Sequence, residues 1–325
     1  MTMRPDARGM SRRQMLVGSS LLASGIVGGP ASALNGASLR IVVPFSAGTI
    51  IDAMARRLAE SMQAPLGALP IVLNREGASG TLAFDELARR EADAASVIFS
   101  AASQLTIHPH LMREPQLRVA DFFPICQIFE QPFVLVASRA GGMVDVPALI
   151  AQGRARPGEL KFGHYGLASS THLQLLGFAQ AAGLAVIAVP YRAHGQLIAD
   201  VASGALDGAI TSVASFDTAV IRPLALVTSS PSAVYPGLPT LQSLGYPSPV
   251  TVFGGFFARA GLPDEHRHEL ELACRRGFDA PDFQVTARRM GVEPIHADSA
   301  AFASRINEES LRMQALLMRF GLASQ

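Results

Sequence analysis

Apolar residues recur along the chain with two alternating periods. Short apolar runs at 39–44, 71–74, 96–101, 133–137, 160–163, 186–189, 208–212, 224–227 and 252–258 read as strands. Helical spacing fills the intervals. Within 50–62, Ile51, Met54, Ala55, Leu58 and Met62 fall on one face. Similar stripes cover 81–89, 146–156, 170–182 and 196–203, and three more follow the last strand at 264–278, 281–290 and 299–319. Strands alternating with helices predict an α/β fold with mostly parallel sheets.

In such sheets ligands lie where the carboxyl end of a strand turns into a helix. Two of these turns are chemically bare. Residues 44–49 read "PFSAGT", and a second turn leaves the strand ending at Gly163 and passes through small residues into a helix starting at Ser170. The first N–H groups of a helix lack partners inside it and carry partial positive charge. Small residues let an anion reach them without any arginine. Ordinary capping by Ser169, Ser170 or Thr171 accounts for one such turn; a pair of them points to a ligand.

Composition narrows the classes. With 49% hydrophobic and 16% charged residues the 325-residue chain is folded and long enough for two domains. Its formal net charge is +1, and without the first 33 residues (Arg4, Arg8, Arg12 and Arg13 against Asp6) 23 basic side chains face 25 acidic ones. No clustered basic face exists for nucleic acid. Those 33 residues read as an export leader: Arg12–Arg13, an uncharged apolar stretch over 15–29, then "ASA" ending at Ala33. The paired arginines are twin-arginine-like. The apolar stretch falls short of the about 20 residues that span a bilayer. The expected mature protein starts near Leu34 in the periplasm. Cys126 and Cys274 lie far apart, one in an apolar run and one in a helical stretch; an oxidising compartment would permit a bridge, but a chain this large does not need one, and two buried free thiols are the expectation.

Catalytic and metal chemistries find little support. Ser169 or Ser170 with His172 would be the nucleophile–base pair of a hydrolase, but residues so close at a helix start are poorly placed for it, and no Gly-x-Ser-x-Gly elbow is present. His108 with His110, and His266 with His268, stand two apart and point away from each other on a helix, so no metal is expected. No G-x-G-x-x-G follows the first strand, and no cofactor is expected.

Five stretches, in order, carry a family resemblance: "IVVPFSAGTIID", "VLNREGASGT", "SQLTIHPHL", "FGHYGLASSTHLQ" with "AVPYRAHGQLIADVASGALDGAI", and "LALVTSSPSAVYPGLPTLQSLGYP". The chain, from about residue 39 to 321, resembles the substrate-binding proteins of tripartite tricarboxylate transporters, the Bug family of periplasmic receptors. The resemblance implies a type II periplasmic-binding-protein-like fold, two α/β lobes joined by two crossover strands that close over a small carboxylate. Lobe one is expected over 34–137 plus 252–325 and lobe two over 138–251, with Phe302, Ile306, Met313, Leu316, Leu317 and Phe320 of the last helix docking on lobe one.

By position, the resemblance makes residues 44–52 and 163–172 two jaws. Phe45 would wall the pocket, Ser46, Gly48 and Thr49 would present backbone and hydroxyl groups, and Asp52 would brace the loop. Ala168, Ser169, Ser170 and His172 would serve the opposite jaw. Ser103, Tyr191, Thr211 and Ser212 are further candidates at other strand ends. The chain departs from the family pattern at Thr49, Ile51, Thr81, His164, Tyr165 and Phe253, so its ligand cannot be copied from relatives. The implied partners of this monomer are a small carboxylate and the membrane subunits of a transporter, or a sensor kinase if a same-fold receptor signals instead.

Overall fold

The computed structural model describes residues 38–323, except 94, 113–116, 213–216, 229–230, 233–234 and 247–249. The expected leader at 1–33 lies outside the described residues. Two sheets organise the chain. The first runs in the order β11-β4-β10-β3-β1-β2, built from β1 (Arg40–Val43), β2 (Ile71–Asn74), β3 (Ser96–Ala101), β4 (Phe122–Gln131), β10 (Val252–Arg259) and β11 (Glu293–Ala297). The second, β7-β6-β8-β5-β9, comprises β5 (Phe133–Ser138), β6 (Lys161–His164), β7 (Ile187–Pro190), β8 (Gly208–Ser212) and β9 (Ile221–Val227).

The sheets are mixed, which corrects the mostly parallel expectation. β1 pairs parallel with β2 and β3, and β6 with β7 and β8. The strands next to the lobe crossings, β4, β5 and β10, run antiparallel to their neighbours. A strand entering from the other lobe need not follow the βαβ direction. The chain crosses at Pro132 from β4 to β5 and returns between β9 and β10. Consequently residues 133–137, expected in lobe one, pair within the second sheet.

Strands β4 and β11 escaped the periodicity. Each contains a proline, which argues against a strand unless the ladder tolerates it. Pro124 sits at a register shift between β4 and β10, and Pro294 lies on the edge strand β11.

The helices follow their apolar stripes. In α1 (Ile50–Leu66), Ile51, Met54, Ala55, Leu58 and Met62 are all buried, and Gly67 ends the helix in the left-handed region at φ 72°. Helices α2 (Thr81–Ala88), α3 (Ser103–Thr106), α4 (Val146–Ala155), α5 (Ser170–Ala182) and α6 (His194–Ser203) precede three C-terminal ones: α7 (Asp264–Asp279), α8 (Pro281–Arg289) and α9 (Ser299–Arg319). Phe302 and Ile306 of α9 join Phe84, Phe253 and Phe257 in one apolar cluster. Further along, Met313, Leu316 and Leu317 cluster with Ile107, Val250, Ala168 and Leu173. The last helix therefore touches the second-sheet side as well as the first.

Cys126 on β4 and Cys274 on α7 form a disulfide, with Cα atoms 6.7 Å apart. This corrects the expectation of free thiols. Nothing in the spacing of 148 residues showed that α7 packs under β4, and that packing brings the Cα atoms into bridging range.

Candidate functional site

The first turn is built inward from its cap. Thr49 caps α1: its hydroxyl accepts from the Asp52 N–H (3.4 Å) and donates to the Ser46 carbonyl (2.9 Å). Gly48, at φ +82°, donates its N–H to Asp52 Oδ2 (2.9 Å). Buried Asp52 also accepts from Arg56 Nε (3.1 Å) and Asn74 Nδ2 (2.8 Å), and Asn74 holds the Phe45 carbonyl at 3.0 Å. Burial pushes this carboxyl up, but Arg56, the Gly48 N–H and Asn74 together hold its pKa below the ordinary value. Asp52 thus braces the loop and consumes the Gly48 N–H. The N–H groups of Ile50 and Ile51 are left with no partner among the described residues.

The second turn repeats the device. Ser169 caps α5, its Oγ accepting from the His172 N–H (3.2 Å). Thr171 Oγ1 accepts from the Tyr165 N–H (2.9 Å). The N–H groups of Ser170 and Thr171 lack partners among the described residues. Ala168 holds the left-handed conformation at φ 56°, and its N–H donates to His172 Nδ1 (3.1 Å). Because that nitrogen accepts, the His172 hydrogen is on Nε2. His164 stacks on His172 with ring centroids 4.2 Å apart, and its Nδ1 donates to the Gly166 carbonyl (2.8 Å). Burial, reinforced by His164, lowers the His172 pKa to about 4. The serine–imidazole pair of a hydrolase is not formed among these contacts, since the Ser169 hydroxyl and the His172 Nδ1 are both bonded to backbone N–H groups.

Acid should therefore loosen this loop. The unfolded imidazole takes up a proton near pH 6.5, and the folded one resists until about 4. Stability is complete above the unfolded value and falls as pH drops from 6.5 toward 4, by on the order of 2 kcal/mol. Urea titrations at pH 7 and pH 4.5 measure it. His172→Gln should flatten the pH dependence, and an unchanged slope would discard the assignment.

Between the lobes lies a cleft of about 450 Å³. It brings together five of the expected residues: Phe45, Ser103, Ala168, Ser169 and Ser170. Ser46 and Gly48 are exposed and, with Thr49 and Asp52, are not among its walls. His172 supports the loop from within. The Tyr191 hydroxyl donates to Asp200 (2.6 Å), with its pKa pushed up to about 12 by burial and that carboxylate, so it serves α6 and not the cleft. Thr211 and Ser212 act through Tyr165, whose hydroxyl meets Thr211 Oγ1 (2.6 Å) and the Ser212 N–H (3.4 Å). The residues missed by sequence reasoning include Gln104, His108, Phe133 and Val252, whereas Tyr165 lies within the expected 163–172 jaw. Gln104 and His108 sit in the "SQLTIHPHL" stretch, and Phe133 and Val252 begin the strands after the two crossings.

Two α/β lobes with a cleft between them, the start of α5 in its wall, define a two-lobed solute-binding protein. This chain belongs to the family described as Tripartite tricarboxylate transporter family receptor (TctC), which matches residues 54–322. Protein BugT of Bordetella pertussis is 32% identical over 246 residues, covering 73% of this chain and 75% of BugT. A solved R. palustris protein, Rpa4515 with adipate, superimposes with a TM-score of 0.77 at 26% identity, covering 88% of this chain and 98% of that one. The periplasmic binding protein BugD gives a TM-score of 0.73 at 24% identity, over 89% and 99%. Receptors of this family are periplasmic, and among the described residues no helix is long and apolar enough to cross a membrane.

Proposed function

We propose that this chain is the solute-capturing subunit of a tripartite transporter, exported under the leader at residues 1–33, with a small carboxylate held between its lobes. The observation that carries the reading is the inter-lobe cleft with the start of α5 in its wall, where the N–H groups of Ser170 and Thr171 have no other described partner. The adipate in the R. palustris relative supports an acid as ligand. The membrane subunits are the partners that would receive it. Capture needs no bond-breaking residue, and no hydrolytic step is assigned to Ser169, Ser170 or His172.

Proline at the first helical position tests the anion contact. It removes one N–H while keeping the helix, because that N–H has no helical partner. Ser169 before it is already extended (φ −64°, ψ 160°), as a following proline requires. A thermal-shift screen of carboxylates against their amides identifies the acid, and calorimetry then compares variants. Ser170→Pro should weaken binding about ten- to hundredfold, the worth of one charge-assisted hydrogen bond. Ile50→Pro should cost less, since α1 starts outside the walls, and Arg192→Gln, on an exposed residue away from them, should change nothing. Undiminished affinity in Ser170→Pro, or amides binding as well as acids, sinks the reading.

A further inference from the structure

The walls of the cleft say what kind of acid it takes. Phe45, Phe133 and Tyr165 present three aromatic rings, and Ile107, Leu111 and Val252 add aliphatic surface. The Tyr165 hydroxyl is not offered to a ligand: it is bonded within its own lobe to His194 Nδ1 (2.5 Å), Thr211 Oγ1 and the Ser212 N–H. Tyr165 therefore contributes a ring face and behaves as a third phenyl group. Ser103 likewise donates to Gln104 Oε1 (3.3 Å), which also accepts from Ser100 Oγ (3.2 Å). The unspent backbone N–H groups of the walls thus gather at one end, where α5 begins, while His108 on the opposite wall adds an imidazole that burial biases toward its neutral form. Among the described residues no Arg, Lys, Asp or Glu lines the cleft.

One polar end and an apolar remainder suit a molecule of the same pattern. A second carboxylate reaching into the rings would lose its water with no Arg or Lys to replace it and only His108, whose charged form burial disfavours, within the walls, a heavy cost. A ring there would be bounded by aromatic and aliphatic surface, which favours offset or edge contacts. A volume of about 450 Å³ accommodates a ring with a short side chain. We infer that the ligand is a monocarboxylate with a ring-sized apolar body, an aromatic acid in the first place, and neither a di- nor a tricarboxylate. The inference rests on the proposed carboxylate receptor and narrows its ligand.

Calorimetry on the protein recovered from the periplasm, with benzoate, 3-phenylpropanoate, cyclohexanecarboxylate, adipate, citrate and benzamide, tests it. One of the three ring acids should bind at least about tenfold more tightly than adipate and about a hundredfold more tightly than citrate, because each unpartnered buried carboxylate costs that much or more. Phe45→Ala should weaken the ring acid about tenfold and leave adipate within about twofold. Leu111→Ser, at a half-exposed wall position, should act in the same direction and serves if Phe45→Ala lowers the melting temperature. Adipate or citrate binding as tightly as every ring acid would overturn the inference while leaving a carboxylate receptor standing. Binding of none of the acids would overturn the receptor reading and this inference with it.

Discussion

The double variant Cys126→Ala, Cys274→Ala is expected to melt about 3–7 °C below the parent protein. The bridge closes a loop of 148 residues that passes through the entire second sheet. In the chain-entropy account, a loop of that length restricts the unfolded chain by about 5 kcal/mol, of which about 2–4 kcal/mol is usually realised. Both cysteines are buried, so alanine leaves a small void and no stranded hydroxyl, as serine would. The bridge ties α7 to β4 on the side of the first sheet, and neither cysteine lines the cleft. Affinity for the ligand should accordingly stay within about twofold while stability falls, a separation expected of sites far apart. Circular dichroism melts and calorimetry on the same preparations read both quantities. A melting point within about 1 °C of the parent would show that the bridge contributes nothing to the folded state.

Gly255→Ala is expected to be worse, costing roughly 4 kcal/mol or more and leaving little folded protein. β10 lies between β3 and β4, and its register with β4 shifts between Gly254 and Gly255. A Cβ on Gly255 would overlap the Cys126 carbonyl oxygen and stand 2.9 Å from the Cα of Gln127. These are backbone atoms in the middle of a sheet, so no rotamer change relieves the overlap; the ladder itself must move. Gly195→Ala is the matched control. That glycine lies in α6 with open space where its Cβ would be, and alanine there should stabilise by up to about 1 kcal/mol. Denaturant titration of the two variants separates a general intolerance of alanine from the close approach at β10. Two equal midpoints would contradict the account.

Both effects concern contacts that no local pattern announces. The doubled glycine in "VFGGFFAR" is visible and marks a place where something comes close, but the sequence does not name the neighbour. The cysteines are visible too, and their partnership is not. The apolar pattern did better with the bounds of several elements, whether buried on both faces, as at Ser96–Ala101 and Gly208–Ser212, or on a sheet edge, as at Ile71–Asn74. The helix over Ser170–Ala182 and the strands at Ile71–Asn74, Ser96–Ala101 and Gly208–Ser212 begin and end where the apolar pattern does. It failed at Pro124 and Pro294, where a bulge and a sheet edge admit a residue that strands otherwise refuse.

The site divides along the same line. Ser169 is legible as one of three possible caps, and the resemblance places Asp52 as a brace, because each acts within four residues of itself; Thr49, expected to offer its hydroxyl to a ligand, caps α1 instead. The sequence by itself determined the α/β class, the family motifs in their order and the two bare helix starts, because these depend on side-chain period and on backbone geometry over a few residues. Only the tertiary structure decided that the Gly48 N–H belongs to Asp52, that Tyr165 spends its hydroxyl on Thr211 and His194, and that Phe133 and Val252 face the cleft from the strands after the crossings. Those outcomes depend on which distant segments meet and on which polar groups each meeting satisfies. Residue spacing carries no distance between segments so far apart; the packing of the two sheets and of α9 supplies it.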